Sequence, residues 1–260
     1  MQIRHALVTG AARRLGRAMA LALAEDGFDV AVHYSGSADE AEATVADIRA
    51  LGRRAVALRA DLLDEAATQA LLPRAADALG QISLLVNNAS IFEDDSLATG
   101  TRTSWDRAME TNLRAPFVLT QALAAQAPDP VPDDRGEPLA QALVVNMIDQ
   151  RVRKPTPAFA SYTIAKMGLW ALTRTAAQGL APRVRVNAIG PGPTLRASRQ
   201  SEDHFRRQRA SLVLDRGSNP ADITGALRYF IGAPSVTGQL LCTDGGQHLA
   251  WKTPDIDLDP

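Results

Sequence analysis

The sequence has little cysteine, no long apolar run and no excess of charge of either sign. Its one cysteine, Cys242, excludes an intrachain disulfide framework and suits a reducing compartment. The 28 Lys and Arg residues balance 29 Asp and Glu residues, and a net charge of −1 argues against a general nucleic-acid binder. No apolar segment approaches the roughly 20 residues of a membrane span, and the N-terminus leaves no room for a signal peptide. These absences predict a soluble, cytoplasmic protein.

Two kinds of segment alternate along the 260 residues. Short β-branched runs, predicted as strands, cover residues 5–8, 29–33, 55–59, 84–87, 142–147, 184–188 and 240–243. Stretches of helical period, predicted as helices, cover residues 17–26, 39–51, 64–79, 105–126, 161–180 and 220–231. Such alternation produces βαβ crossovers and a parallel sheet that helices cover on both faces. We expect an α/β fold, a single-domain, doubly wound (Rossmann) seven-stranded parallel sheet over residues 1–252.

Three segments lack this periodicity and are predicted as irregular. Residues 127–138 carry four prolines and are predicted as an exposed loop. Residues 191–219 are expected to contain a mobile substrate flap at about residues 193–218, and residues 253–260 an acidic, poorly ordered tail. The arginines of the flap attract an anionic substrate tail or, on the ordinary interpretation, form a solvated helix face. They are Arg196, Arg199, Arg206, Arg207 and Arg209.

Glycines between the first predicted strand and helix indicate a dinucleotide-binding loop. The segment from Thr9 to Gly16 has Gly10 and Gly16 where the backbone must turn tightly and approach a pyrophosphate, with Leu15 beside them. The helix that follows supplies free N–H groups and a positive dipole end. Arg14 stands where such a loop usually has a third glycine. The alternative is a tight turn that binds no ligand. The predicted strand before the glycines and the predicted helix after them favour the dinucleotide loop.

Polar or small residues follow the next three predicted strands. An NAD site would have an acid after the second strand, whereas His33, Ser35 and Ser37 can donate hydrogen bonds to a 2′-phosphate. This favours NADP(H), and the alternative is a polar strand end that faces water. After the third strand, Asp61 is placed to accept from an adenine amine. The other expected nucleotide contacts are Leu62, Asn88, Ala89 and Ser90.

Tyr162 and Lys166 are four residues apart in a predicted helix, so both side chains face one side, about 6 Å apart along the axis. A tyrosine has an unperturbed pKa of about 10, and a neighbouring ammonium must lower it before the phenol works as an acid and base near neutrality. Chance produces such pairs on many helices, but this pair follows a strand end of the predicted nucleotide fold. We predict that Tyr162 is the acid and that Lys166 lowers its pKa.

These segments together resemble the short-chain dehydrogenase/reductase family over essentially residues 5–250. The resemblance rests on Thr9-Gly10 with Gly16, Asn87-Asn88-Ala89, Asn112, Tyr162 to Lys166, and Pro191-Gly192. It implies hydride transfer between a nicotinamide and a substrate, with Tyr162 as acid and base and Lys166 on the nicotinamide ribose. It also implies that Asn112 anchors a water that relays protons to Lys166, and that Pro191 and Gly192 contact the cofactor. Most members are tetramers, so a homotetramer, or a dimer, is expected.

Asp149 departs from the family pattern. Thirteen residues before the tyrosine the family usually has a serine that orients the substrate carbonyl, and this chain has Asp149 instead. A carboxylate only accepts hydrogen bonds unless burial raises its pKa and keeps a proton on it. Beside a flat nitrogen heterocycle, such an acid protonates a ring nitrogen or orients a water that does. The alternative is a structural acid that caps a turn or pairs with Arg151.

Further features make the chain resemble the pteridine reductase branch of the family. They are Arg14, His33-Tyr34 with Ser37, Asn88-Ala89-Ser90 with Phe92, and Asp149 with Tyr162 and Lys166. By this resemblance Phe92 stacks on a pterin, and Arg14 and Ser90 reach the cofactor phosphate and the pterin edge. Thr194 matches a hydroxyl position near the nicotinamide ribose. Phe92 is otherwise a packing aromatic, and residues 195–216, which would cover the substrate, show little resemblance.

The sequence therefore predicts an NADPH-dependent reductase of a dihydropterin-like ring, with Tyr162 and Asp149 as proton donors. Phe92, Arg14, Ser90, Asp149 and Tyr162 are the expected substrate contacts. Two alternatives remain, a carbonyl reductase acting on a ketone such as a 3-oxoacyl thioester or a sugar, and a non-catalytic NADPH sensor. The scattered histidines predict no metal site. The expected partners are a small-molecule substrate and other copies of the chain, without nucleic acid or membrane.

Overall fold

A computed structural model describes residues 2–197 and 200–251 of the chain. The predicted tail at residues 253–260 and the flap residue Arg199 lie outside these ranges. Within them, no helix is long and apolar enough to cross a bilayer.

Strands and helices alternate along most of the chain. The strands are β1 (His5–Val8), β2 (Asp29–Tyr34), β3 (Ala55–Arg59), β4 (Leu84–Asn87), β5 (Val131–Pro132), β6 (Pro138–Leu139), β7 (Ala142–Met147), β8 (Val184–Pro191) and β9 (Leu240–Thr243). The helices are α1 (Arg14–Glu25), α2 (Ala38–Ala50), α3 (Glu65–Leu79), α4 (Arg102–Met109), α5 (Ala115–Gln126), α6 (Ala160–Gly179), α7 (Glu202–Ala210) and α8 (Pro220–Gly232). All seven predicted strands and five of the six predicted helices are present with boundary shifts, and the sixth, over residues 105–126, is divided.

Seven of the strands form one parallel sheet in the order β3-β2-β1-β4-β7-β8-β9. The chain winds outward from β1 to β3, crosses over to β4, and then winds outward on the other side. In such doubly wound sheets ligands bind beyond the carboxyl ends of the strands, at the point where the winding reverses. The predicted α/β Rossmann fold is confirmed, and it locates the site at the ends of β1 and β4.

The sheet is covered on both faces, which explains why its strands are almost continuously apolar. On one face the strands pack against α1, α2 and α8 through side chains such as Met19, Ile48 and Phe230. On the other face they pack against α3, α5 and α6 through side chains such as Leu71 and Leu119. Strands that are buried on both faces lose the polar alternation of a half-exposed sheet.

Three segments differ from the sequence prediction. The single helix expected over residues 105–126 is α4 and α5 joined by a π-helical turn, Glu110–Arg114. The loop expected over residues 127–138 contains β5, which pairs with β6 in a short hairpin. The expected flap is not purely irregular, because α7 lies within it. A π-helical turn adds one residue to the backbone ring, which residue periodicity alone does not reveal.

Candidate active site

One large cavity, of about 1140 Å³, opens at the carboxyl ends of the strands. Most of the predicted site residues line it: Gly10, Arg14, Leu15, Gly16, His33, Ser35, Ser37, Asp61, Leu62, Asn88, Ala89, Ser90, Phe92, Asp149, Pro191, Gly192 and Thr194. Asn112, Tyr162 and Lys166 lie behind its wall, where each is buried. The topology therefore assembles the cofactor and substrate segments in one place, although more than 180 residues separate Gly10 from Thr194.

The turn between β1 and α1 has no room for side chains at its two glycines. A Cβ at Gly16 would lie 2.1 Å from the Gly10 carbonyl oxygen, and Gly10 itself has a φ of +61°. Arg14 has a φ of +54°, the left-handed conformation that a glycine adopts at no cost. The side chain of Asn88 donates hydrogen bonds to the carbonyls of Thr9 and Gly10, at 2.8 and 3.2 Å. The end of β4 thus fixes the shape of the glycine loop.

His33 does not have the role expected from the sequence. The Gly10 N–H donates to His33 Nδ1 at 3.0 Å, so Nε2 carries the proton and donates to the Ala60 carbonyl at 3.2 Å. The ring is only 2% exposed, and burial lowers its pKa from 6.5 to about 4. His33 is therefore neutral, with both nitrogens engaged, and the prediction that it donates to a 2′-phosphate is wrong. It holds the glycine loop against β2 and β3.

Asp149, which lines the cavity, and Tyr162, buried directly behind it, form the chemical centre of the site. The Tyr162 hydroxyl donates to Asp149 Oδ2 at 2.9 Å, and the Arg151 N–H donates to Asp149 Oδ1 at 2.8 Å. Burial raises the pKa of Asp149, although the Arg151 N–H and the Tyr162 hydroxyl oppose this shift. The same carboxylate also caps the 3-10 turn Gln150–Val152, so the structural interpretation of Asp149 holds alongside the chemical one.

Lys166 lies one turn along α6 from Tyr162, and both side chains are buried. Its Nζ donates to the Met147 carbonyl at 2.7 Å and lies 5.6 Å from the centre of the Tyr162 ring. Burial lowers the pKa of Lys166 to about 8. The pKa of Tyr162 is raised well above 10 by burial and by the adjacent Asp149, whereas the sequence predicted a lowered value. A neighbouring carboxylate disfavours the phenolate, so Tyr162 keeps its proton in this arrangement.

Asn112 lies in the π-helical turn, and both its side-chain oxygen and its side-chain nitrogen form hydrogen bonds. Its Oδ1 accepts from the Ile91 N–H and its Nδ2 donates to the Ile91 carbonyl, both at 2.9 Å. This pair of bonds positions the segment that carries Ser90 and Phe92 at the cavity wall. The side chain therefore has a positioning role that the sequence did not predict, and the water relay to Lys166 stays a prediction.

Phe92 forms an aromatic wall with a residue that the sequence did not single out. Its ring stacks on Phe159 with centroids 4.2 Å apart, and it meets the Tyr162 ring edge-on at 4.6 Å. The Arg151 guanidinium lies 5.0 Å from the Phe159 ring centre and 5.9 Å from that of Phe92. Phe92 remains 42% exposed, so the wall faces the cavity and not the core. The only signal for Phe159 was an aromatic residue three positions before the tyrosine.

Asp95 is a second residue that the sequence analysis missed. Phe159, the N-cap residue of α6, has a φ of +59°, and its side chain forms no hydrogen bond that caps the helix. Asp95, which is buried, instead accepts from the Ser161 N–H at 3.1 Å and the Ser161 hydroxyl at 2.5 Å. These bonds hold the pKa of Asp95 below its usual range despite burial. No sequence spacing links this loop carboxylate to the start of the tyrosine helix.

The flap forms one side of the cavity and is hydrogen-bonded to Arg14. The Arg14 guanidinium donates to the carbonyls of Leu195 and Arg196 at 2.9 and 3.0 Å, where the sequence predicted contacts with phosphate and substrate. The flap charges are largely paired within the flap: Arg196 with Glu202, and Arg206 and Arg207 with Asp203. Arg209 donates to the carbonyls of Pro193, Gly217 and Ser218. The ion pairs of Arg196, Arg206 and Arg207 favour the ordinary interpretation, a solvated helix face, over the attraction of an anionic substrate tail.

The described residues offer neither a metal site nor a reactive thiol. Among residues 2–197 and 200–251, no group of three or more His, Cys, Asp or Glu side chains is arranged to hold a metal ion. Cys242 is half-buried, and burial raises its pKa to about 11, so it is a protonated thiol at neutral pH.

The glycine loop, the tyrosine helix and the sheet order have their counterpart in a known family. The family model for the short chain dehydrogenases matches residues 4–207. This chain is a short-chain dehydrogenase. A 3-oxoacyl-[acyl-carrier-protein] reductase, FabG, from Staphylococcus epidermidis is 32% identical over 253 residues, which cover 95% of this chain and 99% of the relative. The chain is therefore an oxidoreductase of the short-chain dehydrogenase family.

Solved structures of the short-chain dehydrogenase family include two that are more similar in sequence. FolM Alternative dihydrofolate reductase 1 from Brucella suis, in complex with NADP, has a TM-score of 0.90 and 45% identity over 97% of this chain and 98% of that one. The protein of the same name from Brucella canis, also complexed with NADP, has a TM-score of 0.88 and 44% identity over 98% of both chains.

Proposed function

We propose that this enzyme is an NADPH-dependent reductase of a dihydropterin-like ring. The observation that carries the proposal is that Asp149, which lines a cavity with an aromatic wall, accepts a hydrogen bond from the buried Tyr162 hydroxyl. A carboxyl group of raised pKa can hold a proton for a ring nitrogen, whereas the serine usual at this position serves a carbonyl oxygen. The similarity to the FolM structures, whose name refers to dihydrofolate, supports the same substrate class.

The residues present fit an NADP(H) molecule. Gly10 and Gly16, where a Cβ would crowd or collide with neighbouring backbone, allow the tight turn that lines the cavity, and backbone N–H groups at the start of α1 suit a pyrophosphate. Ser35 and Ser37 line the cavity beyond β2, with no acid at the strand end, and Arg13 lines it nearby. The two FolM structures contain NADP, which supports this assignment. Asp61, Leu62, Ala89, Gly192 and Thr194 complete the proposed cofactor contacts.

Reduction of a C=N bond requires a hydride at carbon and a proton at nitrogen. NADPH supplies the hydride when it is bound. In the proposed mechanism the substrate binds to the form of Asp149 that carries a proton, a form that burial favours by raising its pKa, and this proton passes to the ring nitrogen. Tyr162 already donates to Asp149 and returns a proton to it, and Lys166 stabilises the charge that then develops on the phenol oxygen. Phe92 orients the ring by stacking, and Ser90 lines the same cavity and would contact the ring edge, while Arg14 holds the flap above it.

A carbonyl reductase is the second candidate, because the FabG relative is identical to this chain at 32% of the 253 aligned residues. Tyr162 and Lys166 would serve a ketone equally well. The flap side of the cavity is less suited to an aliphatic thioester, because it presents the polar residues Gln200, His204 and Gln208 to an apolar acyl chain. A non-catalytic NADPH sensor has less support, because Tyr162 and Lys166 are both present and adjacent.

The test compares substrates and the Asp149→Ser variant side by side. We expect NADPH consumption with dihydrobiopterin, dihydromonapterin or dihydrofolate, and little with a 3-oxoacyl thioester or an aliphatic ketone. Asp149→Ser should lower the turnover number for the pterin by roughly 100-fold, because general-acid catalysis contributes about that much or more. The same variant should retain or gain activity on ketones. Thermal unfolding and NADPH binding, measured on both proteins, control for misfolding.

The pH dependence of turnover is an independent test of Asp149 as the proton donor. Turnover of the pterin by the wild type should fall as the pH rises through the raised pKa of Asp149, because the protonated fraction of the carboxyl group decreases. A wild type that reduces ketones briskly and no pterin at all would overturn the proposal in favour of the carbonyl reductase.

A further inference from the structure

The Arg151 side chain places a cation at the rim of the cavity. Arg151 is half-buried and lines the cavity, whereas Thr156, whose hydroxyl accepts a hydrogen bond from the guanidinium, is exposed and lies outside the lining. The guanidinium is 5.0 Å from the ring centre of Phe159 and 5.9 Å from that of Phe92, and both rings line the cavity. Because these two ring centres are only 4.2 Å apart, the guanidinium lies beside the stacked pair. The aromatic wall and the hydroxyl therefore hold the cation where the cavity opens.

Arg151 differs from the other arginines that line the cavity, because its charge is not paired. Arg13 and Arg107 each pair with a carboxylate, and Arg14 uses both terminal nitrogens on two carbonyls of the flap. The Arg151 guanidinium donates to the Thr156 hydroxyl, and no carboxylate within residues 2–197 and 200–251 forms an ion pair with it. A guanidinium has five N–H donors in a planar fork that suits a carboxylate or a phosphate. Arg151 therefore has both a charge and donors for a ligand.

This cation lies on the substrate side of the site. Phe92, beside which it lies, meets the Tyr162 ring with centroids 4.6 Å apart. The Arg151 charge also opposes the rise in the pKa of Asp149 and of Tyr162, so it acts on the reacting centre. A ring that stacks on Phe92 and is protonated by Asp149 thus has Arg151 beside the path that its substituent takes toward the opening.

We propose that Arg151 forms a subsite for a negatively charged group on the substituent of the substrate ring. This inference rests on the proposed function, because it concerns the tail of the ring that Asp149 protonates. The guanidinium binds a carboxylate or a phosphate through its remaining N–H donors. Arg151 is then a specificity-determining residue, and the substrate class narrows to dihydropterins with an anionic tail.

The experiment separates the charge of the tail from its size. Dihydrofolate ends in two carboxylates, and its diester keeps the same tail without the charges. We expect the wild type to have a KM for dihydrofolate about tenfold below that for the diester, in line with one hydrogen bond to a charged group. Arg151→Met should have similar KM values for both compounds. Arg153→Met, an exposed arginine two residues further along and outside the cavity lining, is the matched control and should keep the preference of the wild type.

The ionic strength and a second pair of compounds give independent measurements. Added salt should raise the KM of the wild type for dihydrofolate, because it screens the charges, and should leave that of Arg151→Met unchanged. Hydroxymethyl-dihydropterin and its monophosphate test a phosphate in the same way, so the pair whose difference Arg151→Met abolishes identifies the anion. The Kd of Arg151→Met for NADPH should stay within about twofold of the wild-type value. A rise in that Kd as large as the rise in KM would instead assign the cation to the cofactor.

The alternative role for Arg151 is to brace the aromatic wall. In that case Arg151→Met raises KM for the charged and the neutral compounds alike, which would refute the subsite. If Arg151→Met misfolds, Arg151→Lys, which keeps the charge but not the planar fork, should show a reduced preference, and an unchanged one would refute the role of Arg151. A wild type that reduces charged and neutral forms equally well in both pairs would refute the subsite and leave the proposed function standing. A wild type that reduces none of these rings would refute the proposed function, and the inference with it.

Discussion

Tyr162 lies near a carboxyl group and two cationic side chains. Burial and the hydrogen bond to Asp149 raise the pKa of Tyr162, the Arg151 guanidinium lowers it, and the Lys166 ammonium lies 5.6 Å from the ring centre. Tyr162→Phe removes the hydroxyl and changes little else, because the ring still packs against Phe92. We expect turnover to fall by roughly 100-fold or more, with NADPH binding nearly intact. Stopped-flow reduction and NADPH titration would measure the two effects, and activity near that of the wild type would contradict the assignment.

His33 predicts a pH dependence of stability, because its pKa is about 4 in the folded protein and near 6.5 when unfolded. Between these values the unfolded chain binds the extra proton, so the free energy of unfolding falls as the pH decreases from 6.5 to 4. At about 1.4 kcal/mol per pH unit, the loss approaches roughly 3 kcal/mol near pH 4. Denaturant unfolding across this range should show it. His33→Gln should be less stable at pH 7 but should lose less on acidification, and equal losses in both proteins would argue against this origin.

The start of α6 depends on Asp95, which belongs to a loop before α4. Asp95→Ala would remove the acceptor for the Ser161 N–H and hydroxyl and leave them buried without a partner. We expect a loss of about 2 kcal/mol or more in the free energy of unfolding, in line with a lost cap and an unsatisfied buried group. Asp95→Asn should recover part of the stability, because it retains one acceptor oxygen. Activity should fall with Asp95→Ala even where the protein stays folded, since α6 carries Tyr162; unchanged kcat in the folded variant would contradict that link.

Arg14, the first residue of α1, connects the glycine loop to the flap through two hydrogen bonds. Arg14→Gly would remove the two bonds to the flap carbonyls and relieve the left-handed backbone, which costs a non-glycine residue about 1 kcal/mol. We expect an unchanged or slightly raised Tm together with faster tryptic cleavage within residues 193–218. Arg13→Ala, beside it but paired with Glu40, is the control and should leave the cleavage rate as it was. Equal cleavage of both variants and the wild type would show that Arg14 does not restrain the flap.

At the scale of the molecule, apolar side chains remain exposed on α4, α5 and α6. They include Trp105, Phe117, Ile164 and Met167, each more than a third exposed. Exposed large apolar side chains on regular helices are typical of subunit interfaces, which supports the prediction of a homotetramer or dimer. Light scattering after size exclusion should give two or four times the mass of one chain. Phe117→Glu should shift it downward, whereas Leu97→Glu, on a loop and 95% exposed, should not. A wild-type monomer would contradict the prediction.

The fold and the outline of the site follow from local properties of the sequence. Apolar strands alternate with amphipathic helices, and Gly10 and Gly16 stand where no other residue fits, so the sheet and the cofactor loop are encoded by residues near each other in the chain. The four-residue spacing of Tyr162 and Lys166 fixes their common helix face for the same reason. The departure at Asp149 also needed no structure, since a carboxylate and a hydroxyl differ in chemistry wherever they lie.

Only the tertiary structure decided what each polar group binds, because those partners come from distant segments. His33 was expected to meet a phosphate, yet burial and two backbone groups from other loops make it a neutral support. The pKa of Tyr162 rises instead of falling because the chain brings Asp149 within 2.9 Å of its hydroxyl. Asp95 and Phe159 become visible only when loops far apart in sequence meet. The sequence by itself determined which chemistry is present, and desolvation and long-range contacts decided how each group uses it.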